Sequence, residues 1–91
     1  MLKLVVTTTI PSRHNEQNIW FVFETDHDSI DEFYNDLADD GCVLGARVYT
    51  ETGTDGRKYV QSRTDHVIGV RGIVTVAPCQ FDYFEKVGEA A

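Results

Sequence analysis

Between positions 14 and 46 the chain carries nine carboxylates, Glu16, Glu24, Asp26, Asp28, Asp31, Glu32, Asp36, Asp39 and Asp40, and not one lysine or arginine. Carboxylates at that density can hold a cation, orient a catalytic base, or present an anionic surface to a basic partner. The first two uses need companions at set spacing. Asp26-His27-Asp28 comes nearest to a cation site, but it lacks the glycine and terminal glutamate of a calcium loop and any short histidine pair. A catalytic base would be His14, His27 or His66, oriented by Asp26 or Asp65 and working with Cys42 or Cys79. Asp65 and His66 are neighbours in a strand-like segment, where adjacent side chains point to opposite faces. No motif fixes a nucleophile. No catalytic residue, metal ligand or cofactor is therefore assigned, and the chain is expected not to be an enzyme.

The acids acquire a common direction only if one helix carries them. Ile30, Phe33, Tyr34, Leu37 and Ala38 fall at i, i+3, i+4, i+7 and i+8, the stripe of an amphipathic helix. Ser29 with Glu32 three residues on fits a capping box, Asp26 and Asp28 are competing caps, and Gly41 is placed for the left-handed C-terminal position. At ~100° per residue the acids Asp28, Asp31, Glu32, Asp36, Asp39 and Asp40 point away from that stripe. Thirteen residues span ~20 Å, so six carboxylates give roughly one charge per 3 Å, close to the ~3.4 Å phosphate spacing of a nucleic-acid strand. The first acids favour the helix dipole, whereas Asp39 and Asp40 oppose it. Like-charge pairs at i, i+4 cost ~0.2–0.5 kcal/mol each. Local rules broken without local gain point to function, although a solvated helix face is the plainer reading of such a run.

These residues predict a small acidic protein-binding module, an inhibitor that mimics nucleic acid and whose helix face docks on the basic surface of a partner protein or nucleoprotein complex. Anti-defence and toxin-neutralising proteins use small acidic domains this way. Asp31, Glu32, Asp36, Asp39 and Asp40 would carry the attraction, with Arg47 and Tyr49 joining if the partner also meets the sheet. Two other readings remain. One is a self-associating structural domain, a homodimer through an open sheet face. The other is a weak single-stranded nucleic-acid binder, since period two puts Arg47 with Tyr49, and Arg57, Tyr59, Gln61 and Arg63, on shared faces where arginine and tyrosine can stack bases.

The elements around the helix follow from alternation. Leu2 to Ile10 has a period of two, closed by Pro11; Ser12 to Gln17 is a polar connection; Ile19 to Phe23 is apolar on both faces, the mark of a mid-sheet strand with Trp20 or Phe21 under the helix. Cys42 to Thr50 and Arg57 to Arg63 read as a hairpin around a turn in which Gly53 and Gly56 supply the positive φ needed there. His66 to Ala77 reads as a third β-like segment, with a bulge or break at Gly69 and Gly72. The aromatic stretch Phe81-Asp82-Tyr83-Phe84 fits a short helix or an edge strand. The order β-β-α-β-β-β predicts an α+β domain of two layers, an antiparallel sheet of about five strands with one helix on one face.

Ninety-one residues support one domain, residues 1–91, and 42% hydrophobic composition suffices for a core. Fifteen acids against eight bases, a formal charge of −7, argue against direct attraction to nucleic acid or an anionic membrane. The apolar start, Leu2 to Val6, is shorter than the ~7 residues a secretory h-region needs. Cys42 and Cys79 do not make a disulfide framework and are expected reduced and mostly buried. Together these readings predict a cytoplasmic location.

Overall fold

A computed structural model describes residues 1–13 and 17–86; His14, Glu16 and residues 87–91 lie outside the described residues. The chain is an α+β fold with one antiparallel sheet and one helix: β1 (Leu2–Pro11), β2 (Asn18–Thr25), α1 (Ile30–Asp40), β3 (Cys42–Thr52), β4 (Lys58–Gly69), a 3₁₀ turn (Val70–Gly72) and β5 (Ile73–Pro78). The strands lie in the order β4-β3-β2-β1-β5, so the doubly apolar β2 is the central strand. Phe21 and Phe23 face the helix, and Trp20 lies on the other side with its ring edge towards Phe81.

The connection between β4 and β5 shapes the whole molecule. These strands are the two edges of the sheet, and their registers would put the end of β4 and the start of β5 at opposite ends of a flat sheet. Four strand spacings are ~19 Å, whereas a three-residue 3₁₀ turn reaches less than ~10 Å. The β3–β4 ribbon must therefore bend across one face of the sheet, which becomes concave. Ile68 and Val43 accordingly join Leu4, Val6, Phe21, Phe23, Phe33 and Leu37 in one buried cluster, and the His66 ring meets Phe21 edge-on at 5.2 Å. Gly45 sits where the ribbon closes down. A Cβ there would come within 2.5 Å of the Glu24 carbonyl oxygen and 2.6 Å of the Phe23 ring.

The helix begins and ends as its sequence predicts. Ser29 Oγ accepts from the Glu32 amide, the Glu32 carboxylate accepts from the Asp28 amide, and Gly41 at φ 77° donates to the Leu37 carbonyl. The expected apolar stripe is only partly used. Phe33 and Leu37 are buried, each contributing roughly 1.5–3 kcal/mol, but Ile30, Tyr34 and Ala38 are exposed, because the bent ribbon occupies one side of α1 and none of the described residues covers the flank turned towards β5.

Residues 79–86 form a strap across the convex face. The Cys79 amide donates to the Lys3 carbonyl on β1, and Phe84 bridges Tyr59 in parallel at the outer edge of β4. Between these points Tyr83 is buried against Val22, Val48 and Val60, with Cys79 and Phe81 beside it. The aromatic stretch is thus neither helix nor full strand, and the sheet face expected to be open is covered here. Three further expectations are corrected. The segment His66–Ala77 is divided, its first residues continuing β4 without a break through Thr64 and Asp65. Cys42 is exposed and Cys79 half-buried, and both are free. Of the turn glycines only Gly56 has positive φ, 81°. No described helix is long and apolar enough to cross a membrane.

Gly45→Ala should cost about 1–3 kcal/mol of unfolding free energy in urea, since the added methyl meets backbone and a packed ring instead of a flexible side-chain end. An unchanged midpoint would mean that the ribbon does not close on Phe23.

Candidate docking surface

The acid run resolves into a helix face and its approach. Asp31, Glu32, Asp36, Asp39 and Asp40 lie on α1 and are exposed, whereas Asp28 precedes the first helical residue. The helix is shorter than its acids alone suggest, eleven residues or ~16 Å, so five carboxylates still give about one charge per 3 Å. Asp31 and Glu32 occupy the first turn, where the helix dipole favours them. The last turn holds no basic residue, so Asp39 and Asp40 meet the negative end of the dipole uncompensated. Glu32–Asp36 and Asp36–Asp40 remain like-charge pairs at i, i+4 within the helix.

Asp36 differs from the others. Its Oδ2 is 2.7 Å from His27 Nε2, while His27 Nδ1 lies 2.8 Å from Thr25 Oγ1 and the imidazole edge packs on Phe33 at 5.7 Å. This chain of contacts ties the end of β2 to the middle of α1, and Asp36 serves the fold as well as the acidic face.

The cations lie elsewhere. Lys3 sits 4.6 Å over the Tyr83 ring, Lys58 is over Phe81, Arg57 is over Phe84, Lys86 pairs with Glu51, and Arg63 pairs with Glu24 and Glu85. All of these hold the strap or belong to it. Among the described residues no lysine or arginine is paired with an acid of α1.

Arg47 and Tyr49 do share a face, and the Arg47 guanidinium lies 4.7 Å from the Phe21 ring centre and 4.9 Å from that of Tyr49. Its Nε is buried with no hydrogen-bond partner among the described residues. Both sit on the concave face at the bent ribbon, apart from the outward side of α1. The expected row Arg57-Tyr59-Gln61-Arg63 does not form. A bulge leaves Gln61 without a partner on β3, so Val60 and Arg63 both turn to the convex face and Tyr59 to the other.

The catalytic candidates are dispersed. His66 packs on Phe21, Asp65 lies across the sheet from it, and His27 is engaged with Asp36 and Thr25. Asp65 lines an open cleft of about 540 Å³ with Glu24, Asp26, Leu44, Arg63 and Glu85. Among the described residues no three histidine, cysteine or acidic groups gather as metal ligands.

The spacing of sequence signals gave no sign of a buried charge cluster at the centre of the convex face. Glu24 is 5% exposed, accepts from Arg63 Nε at 2.8 Å and Nη2 at 3.3 Å, and accepts from the Tyr83 hydroxyl at 2.7 Å. Arg63 reaches on to Glu85. Burial raises the Glu24 carboxyl, but Arg63 and Tyr83 together outweigh it and hold the group below its ordinary 4.5. Burial first, and then the Glu24 carboxylate, raise the Tyr83 hydroxyl. The partners are 39 and 59 positions apart. The one available signal was an acid placed in a central, otherwise apolar strand.

Comparison with protein-family models, with curated protein sequences and with solved structures gives no match.

Because the folded Glu24 carboxyl titrates below its unfolded value, its stabilisation is complete above about pH 4.5 and is lost as pH falls through the folded pKa. Unfolding free energy should fall in that acid range, and Glu24→Gln should flatten the fall. Tyr83→Phe should cost about 1.5–3 kcal/mol at neutral pH, the range for a hydrogen bond to a charged group. A pH profile of urea midpoints for the three proteins checks both.

Proposed function

We propose that this protein is a non-enzymatic binding module whose α1 face docks in a basic groove on another protein, occupying a site that otherwise holds nucleic acid. The observation that carries this reading is charge segregation: five outward carboxylates at nearly phosphate-like spacing, with no lysine or arginine paired to them, on a chain whose cations are largely engaged at the strap. An unneutralised face keeps its field for a partner. It raises the encounter rate with a positively charged groove and disfavours acidic partners, and both effects weaken as salt screens them. The rigid helix also holds its charges in place before contact, so the cost of ordering them is met in folding. Asp31, Glu32, Asp39 and Asp40 carry the attraction, with Asp36 contributing while bound to His27. The cytoplasm is the setting that suits such a partner.

The variant that tests the reading leaves Asp36 alone, because its loss would loosen α1. Asp31→Asn, Asp39→Asn and Asp40→Asn combined should leave the far-ultraviolet circular dichroism unchanged. They should abolish low-salt capture of the partner that the wild type retains, and duplex DNA should compete for that capture. Equal capture by wild type and variant would remove the proposal. Asp39→Asn/Asp40→Asn should at the same time raise unfolding free energy by about 0.5–1 kcal/mol, from relief of the dipole and of the Asp36–Asp40 pair. Urea denaturation checks that gain.

A further inference from the structure

Arg47 is a half-buried arginine that the fold leaves without an acceptor. The guanidinium rests against two rings, 4.7 Å from the centre of Phe21 and 4.9 Å from that of Tyr49, and rings supply it with no lone pair. None of the ion pairs among the described residues includes it. Its Nε is closed to solvent with no hydrogen-bond partner among the described residues. An orphaned donor of this kind costs free energy and calls for a reason. The residue as a whole is only half-buried, so its end remains within reach of a ligand. That end offers Nη1 and Nη2, whose parallel N–H groups match the two oxygens of a carboxylate.

A pocket of about 170 Å³ lies on the same concave face, with Phe21, His66, Ile10, Ile68 and Ile73 in its lining. Phe21 joins it to the arginine: the guanidinium lies over the Phe21 ring, and the His66 ring meets that ring edge-on at 5.2 Å. Thr64 and Ser62, both exposed on β4, stand directly opposite Arg47 and Tyr49. Opposed residues of an antiparallel pair share a face, so these hydroxyls flank the guanidinium. No aspartate or glutamate lines the pocket, and none is paired across the sheet with Arg47. On a chain of net charge −7, an acid-free pocket beside an unpaired cation is where an anion meets least repulsion.

We propose that this face binds a small organic monocarboxylate with an apolar or aromatic body. The body occupies the pocket against Phe21, Ile68 and Ile73, and the carboxylate accepts from the end of Arg47, with the Thr64 hydroxyl as a further donor. The pocket sets the size of the ligand: its volume admits one ring or a short chain, well below the roughly 300–1,000 Å³ of sites for drug-sized molecules. Charge sets the valence. One guanidinium supplies a single positive charge, and the acids elsewhere on the chain oppose a second negative one, so a monoanion is favoured over a phosphate monoester, which carries nearly two. The carboxylates of α1 take no part, and the site is independent of the docking proposed above.

Titration of the isotopically labelled protein with benzoate, followed by NMR, tests the inference, with benzamide as the matched neutral probe and inorganic phosphate as the matched anion. Benzoate should move the Arg47 Nε–H signal and the amides of Phe21, Thr64 and His66 along one saturable curve at millimolar concentrations. Benzamide should bind at least about tenfold more weakly, the loss expected when a charged hydrogen-bond acceptor is removed, and phosphate should leave these signals in place. Arg47→Met keeps an apolar stem beside the two rings and should abolish the preference for benzoate over benzamide. Arg47→Lys keeps the charge without the fork and should weaken benzoate several-fold, whereas Arg71→Gln, at an exposed arginine outside the pocket, should change nothing. Shifts that stay linear to the highest benzoate concentration, equal binding of benzamide or phosphate, or equal loss on Arg71→Gln would overturn the inference. The comparison of probes on the wild type decides it even if an Arg47 variant fails to fold.

Discussion

Three residues join the two edges of a five-stranded sheet, and that short link governs the rest of the architecture. Because Val70–Gly72 cannot bridge a flat sheet, the β3–β4 ribbon bends over the concave face and shares it with α1. The helix thereby lies against β3, with Phe33 and Leu37 packed into the shared core and the flank towards β5 bare. Gly45 is the residue that permits the close approach, and Phe23 lies beneath it at full burial. The bend also leaves the convex face with valines that need cover, which the strap provides.

Electrostatics follow the same division. The convex face holds the buried Glu24 carboxylate, and Arg63, Tyr83 and Glu85 assemble around it as the strap crosses. A buried carboxylate is tolerable only when its oxygens are paired, so the strap and the Glu24 site need each other. Lys3, Arg57 and Lys58 add cation–ring contacts to the same segment. Most of the positive charge in the chain is thus used to fasten one segment, and among the described residues the helix acids on the other side have one side-chain partner, His27 at Asp36. A chain of net charge −7 becomes a molecule with one markedly negative side.

The helix turns different residues to different sides. Asp31, Asp39 and Glu32 are exposed, while Ile30 and Tyr34 stand beside β5. That division is a consequence of the bend, which covers only Phe33 and Leu37 of a wider apolar stripe.

The helix, its caps, the central position of β2 and the α+β class were legible because each rests on local spacing: three or four residues for a helix face, two for a strand, and single cap residues at its ends. The outward direction of Asp31, Glu32, Asp39 and Asp40 came from the same periodicity. Tertiary structure alone decided what periodicity cannot carry. The bulge at Gln61 turned Arg63 away from Tyr59, because one extra residue reverses every later side chain. The bend of the ribbon left Tyr34 bare although its spacing matches that of Phe33 and Leu37. Glu24, Arg63 and Tyr83 meet across 39 and 59 positions, and Phe84 reaches the edge of β4, through contacts that exist only once the sheet has formed. Sequence sets which side of its own element a residue occupies; which sides are then covered depends on how distant elements close on one another.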